Sequence, residues 1–140
     1  MFLLQKLIES VSPAHGRVLI YVWAIEQDEQ SKRIIPTDGE AANSQVGKDV
    51  VVPWVLSRQL GSTSKEGRMD SEQPQVFNRY YHMFAKGELG GLVHEAVTEM
   101  GLEIGPSSSR GSRGAGVEIV QDGWERSNYY VELKRWKYQG

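Results

Sequence analysis

Residues 17–24, RVLIYVWA, are the most restrictive stretch of this chain. They form a continuous apolar run, rich in β-branched and aromatic residues, without polar–apolar alternation. Such a run is the pattern of a strand covered on both faces, as in the interior of a parallel sheet. Upstream, Phe2, Leu4, Leu7, Ile8 and Val11 recur at a spacing that lays an apolar stripe along a helix over residues 2–11. Pro13 and Gly16 close that helix. A helix that turns through Pro-Ala-His-Gly into a buried strand is the second half of a βαβ unit. The strand that would precede the helix has no counterpart, so Met1 falls where such a domain is expected to be already under way.

The 140 residues suffice for one ordinary domain and not for two. The chain has no cysteine, which removes disulfides, thiolate metal sites and thiol nucleophiles together. The apolar run at the N-terminus is too short, and too interrupted by Lys6 and Glu9, for a signal peptide or a membrane span. A net charge of -2 provides no global positive field for nucleic acid, so any RNA contact has to be local.

From residue 26 to about residue 75 the sequence turns polar, with only the run at 50–56 looking ordered. We expect disordered inserts at about 28–48, 57–74 and 105–116. Residues 76–85, VFNRYYHMFA, restore aromatic density ahead of a second helix. That helix is marked by Leu89, Leu92, Val93, Ala96, Val97 and Met100, with Gly87 as N-cap, Glu88 at its positive end and Gly101 as its stop. Two strand-like runs follow, 117–121 and 129–136, separated by the turn-like DGWERSN. The coarse order is helix, strand, long loop, helix, strand, strand.

No glycine-rich dinucleotide loop, nucleophile elbow or Walker-type lysine loop is present. Gly111, Gly114 and Gly116 lie in a Ser/Arg-rich stretch and read as loop. His15, His82 and His94 lack metal-ligand spacing. Two clusters remain. Trp23, Glu26 and Gln27 lie at the carboxyl end of the apolar strand, where open α/β sheets bind ligands; alternatively Tyr21 and Trp23 only pack and the polar pair begins a solvated loop. Arg79, Tyr80, Tyr81 and His82 place an arginine beside aromatics, a combination suited to an anionic or base-bearing ligand. The alternative there is core-filling aromatics with a solvated arginine.

Four blocks carry a resemblance: GRVLIYVWAIEQ (16–27), DVVVPWVL (49–56), VFNRYYHMFAKGELGGLV (76–93) and GVEIVQDGWERSNYYVELKRW (116–136). In this order they resemble the C-terminal half of the tRNA wobble-uridine (carboxymethyluridine) methyltransferases, an S-adenosylmethionine-dependent family. The resemblance implies an α/β fold, the C-terminal part of a seven-stranded class I (Rossmann-like) methyltransferase sheet. Residues 17–24 would be its fifth strand, and the family's glycine loop and acidic ribose-binding residue would be absent with the N-terminal strands.

It also implies transfer of a methyl group from S-adenosylmethionine to the carboxylate of a modified uridine in the tRNA anticodon loop. The substrate-binding residues would be Trp23, Glu26, Gln27, Arg79, Tyr80, Tyr81, His82, Trp124, Arg126 and Asn128. Arg79 would pair with the carboxylate or a phosphate, and Trp23, Tyr80 and Tyr81 would wall the pocket. Cofactor binding by this chain alone is not expected. Relatives work with a small zinc-binding activator protein, whose contact by resemblance uses the missing strands. The implied setting is the cytoplasm, with the nucleus as a second compartment. A reading of another class is a non-catalytic remnant that binds RNA or protein through its aromatic-basic segment and Lys134, Arg135 and Lys137.

Overall fold

The computed structural model describes residues 2–33, 47–55, 75–107 and 114–138. Of the expected inserts, residues 34–46, 57–74 and 108–113 lie outside the described residues. The elements are α1 (Phe2–Glu9), β1 (Arg17–Trp23), β2 (Lys48–Val55), β3 (Val76–Met83), α2 (Glu88–Glu99), β4 (Glu103–Ile104), β5 (Ala115–Glu125) and β6 (Asn128–Lys137). They form a mixed α/β structure with two sheets, one ordered β1-β6-β5-β4 and one made of β2 and β3. In the larger sheet β6 runs antiparallel to both β1 and β5, while β4 joins β5 in parallel.

Both helices lie on one face of the larger sheet. Leu4 and Ile8 of α1 meet Leu89, Val93, Ala96 and Val97 of α2 over Val117, Val131 and Leu133 of the strands. The helical spacing of the apolar residues explains this layer, since each helix has one stripe to hide. Arg135 ties α1 to the sheet: its Nη1 donates to the carbonyls of Ile8 (3.1 Å) and Val11 (3.4 Å) at the negative end of the helix.

The other sheet face corrects the expectation for β1. The strand is not covered on both sides but alternates, with Val18, Ile20 and Val22 toward the core and Leu19 58% exposed. Tyr21 is also exposed, stacked on Tyr130 with ring centroids 5.4 Å apart. Apolar residues on the outward face conceal the alternation from sequence reading, because hydrophobic runs do not specify what covers them.

Residues 76–83 precede α2, as expected, and are themselves a strand. They form β3, paired residue for residue with β2 from Lys48↔Met83 to Val55↔Val76. The hairpin is buried at its base, at Val50 and Met83, and exposed toward Trp54, Val55, Val76 and Phe77. It joins the main sheet where Phe84 N–H donates to Trp23 O (2.7 Å) and Ile25 N–H donates to Phe84 O (2.9 Å).

DGWERSN also differs from its expected turn. Asp122 to Glu125 continue β5, and only Arg126 and Ser127 turn, at φ 47° and 63°. Two successive positive-φ residues suit the right-handed twist of a hairpin, although non-glycine residues occupy both places. Gly116, expected in a loop, is buried in β5, where the Trp136 side chain lies against it.

Candidate functional site

The end of β1 gathers much of the chain's unusual chemistry. Trp23 stacks on Tyr81 of β3 with centroids 4.1 Å apart and planes 10° from parallel, which joins the two sheets through aromatic faces. After Trp23 the chain folds over the end of the β5–β6 hairpin. Ala24 N–H donates to Ser127 O (3.0 Å), and Asp28 N–H donates to Ser127 Oγ (2.8 Å). Gln27 Nε2 donates to Ala24 O (2.5 Å) and Ser127 O (3.2 Å). Ser127 is 1% exposed, and its left-handed backbone aims both oxygens at this crossing segment.

Glu26 leads to a cleft. Its carbonyl accepts from Trp124 Nε1 (3.1 Å), and its carboxylate accepts from Tyr129 OH. Burial, then the hydrogen bond and charge of Glu26, push the Tyr129 phenol up to about 12, so it remains a donor at neutral pH. Trp124 and Tyr129 face Lys86, Gly87, Leu89 and Gly90 at the start of α2 across a cleft of about 340 Å³. That volume is within the range of small-ligand sites.

The structure therefore brings Trp23, Glu26, Gln27, Tyr81, Trp124 and Asn128 to one end of the main sheet. Arg126 stands in the adjoining turn, where its carbonyl accepts from Asn128 Nδ2 (3.0 Å). Arg79 and Tyr80 lie farther along the hairpin. The Arg79 guanidinium covers the Trp54 ring at 4.1 Å, and Tyr80 is 66% exposed on the opposite ribbon face. Sequence reasoning missed Arg33. Its guanidinium lies 4.4 Å from the Trp23 ring centre, and its Nη2 donates to Asn128 Oδ1 (2.7 Å). Nothing in its polar surroundings separates it from solvated neighbours in the sequence. Ser127 and Tyr129 were missed as well.

The chain is 32% identical over 120 residues to the tRNA (carboxymethyluridine(34)-5-O)-methyltransferase of Schizosaccharomyces pombe, which takes in 83% of this chain and 41% of that protein. The chain is a homologue of the tRNA carboxymethyluridine methyltransferases. It is also 25% identical over 119 residues to the tRNA (carboxymethyluridine(34)-5-O)-methyltransferase alkbh8 of Xenopus tropicalis, a match over 64% of this chain and 19% of that protein. This methyltransferase homologue thus spans less than half the length of either curated relative. No family model matches it. No helix among the described residues is long and apolar enough to cross a membrane.

In this methyltransferase homologue His82 connects the hairpin to α2. Its Nδ1 faces Asp49 Oδ1 at 2.6 Å and its Nε2 faces Glu88 Oε1 at 2.5 Å. Glu88 also accepts from Ala85 N–H (2.9 Å). The carboxylates take opposite ring nitrogens and do not converge on a common point. Among the described residues, no group of His, Asp and Glu is placed to hold a metal ion.

Partial burial opposes charge on His82, but the hydrogen bonds and negative charges of Asp49 and Glu88 outweigh it and raise its pKa. The His82 bond, followed by one from Tyr80, lowers that of Asp49. A raised histidine pKa contributes stability that is complete below the unfolded value, about 6.5, and is lost as pH rises through the folded value. Asp49 sets the acid side, where its contribution is lost as pH falls through its lowered pKa. Amide exchange in β3 is therefore expected to be slower at pH 6 than at pH 8.5, after correction for intrinsic rates. In His82→Gln the protection should not change between those values.

Proposed function

We propose that this chain forms the substrate-side part of a tRNA wobble-uridine methyltransferase, in which a carboxymethyl group on the base is esterified. The observation that carries this reading is a base-sized cleft lined by Trp124 and Tyr129, both bonded to Glu26, in a chain related to enzymes with that printed activity. The placement of β6 antiparallel between β1 and β5 supports the reading of this sheet as the last part of a seven-stranded methyltransferase sheet.

A carboxylate acceptor is already ionised at neutral pH, so it needs no general base. The protein's contribution is to withdraw the base, orient its acid and exclude water around it. Trp124 and Tyr129 offer aromatic walls for the base. On the hairpin, the Arg79–Trp54 pair is suited to the phosphate and neighbouring bases of an RNA loop.

S-adenosylmethionine is the donor proposed for the whole enzyme. The described residues do not supply its glycine loop: β1 runs into the Gln27 segment, and β3 enters α2 through the single short turn at Lys86 and Gly87, with no G-x-G-x-x-G run. No step is assigned to the donor from this chain.

An anticodon stem-loop carrying carboxymethyluridine tests the proposal. The chain should bind it more tightly than a hairpin of the same composition with a scrambled loop, as read by fluorescence anisotropy. Trp124→Ala should weaken the preferred complex about tenfold, in line with roughly 1–3 kcal/mol for one stacked base. Equal binding to both hairpins would defeat the proposal. The exposed aromatic hairpin favours a second reading, an RNA-binding module without catalysis. Under that reading Arg79→Ala and Trp54→Ala weaken both hairpins equally, while Trp124→Ala has no effect.

A further inference from the structure

Arg33 is held in an arrangement that a surface arginine does not need. Its Nη1 donates to Ser127 O (2.8 Å) and, more weakly, to Gln27 Oε1 (3.4 Å), while Nη2 donates to Asn128 Oδ1 (2.7 Å). Gln27 Oε1 is itself oriented by Ser31 Oγ at 2.6 Å, and Ser31 Oγ also accepts from Arg33 N–H at 3.3 Å. Trp23 lies against the guanidinium plane, and Tyr81 against Trp23. Side chains and backbone from β1, the following segment, β3 and the β5–β6 turn thus fix the position of one half-buried cation.

All the hydrogen-bond acceptors described for it are neutral. Asp28 acts on it through space, without forming an ion pair, and its Oδ1 accepts from Gln30 N–H (3.2 Å). The fixed bonds engage the two terminal nitrogens, while Nε donates no hydrogen bond among the described residues. The Nε edge, shared with the remaining Nη2 hydrogen, is one that a planar oxyanion can take with two parallel bonds. A guanidinium whose orientation is fixed and whose charge is left to neutral dipoles is preorganised for an anion.

We propose that Arg33 is an oxyanion receptor for the RNA substrate, taking either the carboxylate of the modified base or an adjacent phosphate on its Nε edge. The identity of the ligand rests on the function proposed above; the anion site rests on the geometry of Arg33. This assigns to Arg33 the carboxylate role that sequence reading gave to Arg79, whose guanidinium covers Trp54 on the hairpin.

The test uses ¹⁵N-labelled chain and four small probes: 5-carboxymethyluridine, its methyl ester, uridine 5′-monophosphate and uridine. At least one anionic probe should shift the Arg33 Nε–H resonance saturably, while uridine and the ester leave it unchanged. Arg33→Gln should weaken that anion at least about tenfold, as expected for a charge-assisted pair. Arg33→Lys keeps charge without the fork and should fall between the two. Retained shifts in the Trp23 and Tyr81 rings show that the variants keep the surrounding structure.

Response to carboxymethyluridine alone identifies the carboxylate as the ligand; response to the monophosphate alone identifies phosphate. In the second case the anion site stands and its proposed link to the modified base fails. If neither anion moves Arg33, or if Arg33→Gln binds like the parent, the proposal is overturned. Anticodon-loop preference is read separately, so its loss together with an intact Arg33 response would refute only the tRNA reading.

Discussion

Gly116→Val is expected to cost roughly 3 kcal/mol or more, the upper end of overpacking plus a buried acceptor that loses its donor. A Cβ at this position meets the Trp136 ring and comes within 2.6 Å of the Glu103 carbonyl oxygen. Neither neighbour can easily yield. Trp136 is buried and its Nε1 donates to Gly105 O at 2.8 Å; Glu103 is part of the short β4 pairing with Gly116 itself. Overpacking therefore displaces the ring, breaks the parallel pairing and leaves Gly105 O without its donor. Against a typical domain stability of about 5–15 kcal/mol, this removes a large share of the margin. Urea unfolding followed by tryptophan fluorescence measures it. Combining Gly116→Ala with Trp136→Leu should recover much of the loss that Gly116→Ala causes alone, because space is returned where it was taken. A Gly116→Val midpoint equal to the parent's would refute this account.

Ser127→Val should be the second severe change, at about 2–5 kcal/mol. The residue sits at φ 63°, where a branched Cβ meets backbone oxygen, a cost of about 1–2 kcal/mol. The substitution also removes the hydroxyl that accepts from Asp28 N–H, adding about 1–3 kcal/mol for a donor left without its partner. Ser127→Gly separates the two terms, since it loses the hydroxyl but favours the backbone conformation. Thermal unfolding should rank parent, glycine variant and valine variant in descending order. A valine variant as stable as the glycine variant would remove the backbone argument. The valine change should also free Arg33, visible as loss of the close Trp23–guanidinium contact.

Local periodicity made part of this fold legible. The apolar residues of α1 and α2 recur at helical spacing, and Leu4, Ile8, Leu89, Val93, Ala96 and Val97 are the ones that become buried. Gly87 does cap α2, at φ 83° and without a side-chain bond, while Glu88 binds backward to Ala85 N–H. The β2–β3 hairpin was not legible, because its strands pair across a long polar stretch and Pro53 interrupts the strand signal in 48–55. A pairing between such distant segments leaves no trace in either one.

The site follows the same division. Trp23, Glu26 and Gln27 could be found from their position at a strand's carboxyl end, and Tyr81 from its company of aromatics. Their association with Asn128 and Trp124 depends on a two-residue turn made by Arg126 and Ser127, which lacks the usual Asn-Gly signal. Arg33 gains its meaning from acceptors roughly a hundred residues away, at Ser127 and Asn128. Even the apolar character of β1 misled in one respect, since Leu19 and Tyr21 face outward in this structure.

The attachment of the hairpin has a mechanical consequence. Its eight-residue strands make a cantilever on the order of 26 Å long, fixed at its base by Phe84 between Trp23 and Ile25, by the Trp23–Tyr81 stack and by His82. A pivot of about 10° at that root sweeps the Val55–Val76 end through roughly 4–5 Å on strands of this rise. Read in reverse, a load on Trp54 or Phe77 arrives at Trp23 as torque on an aromatic joint that also bears the Arg33 guanidinium.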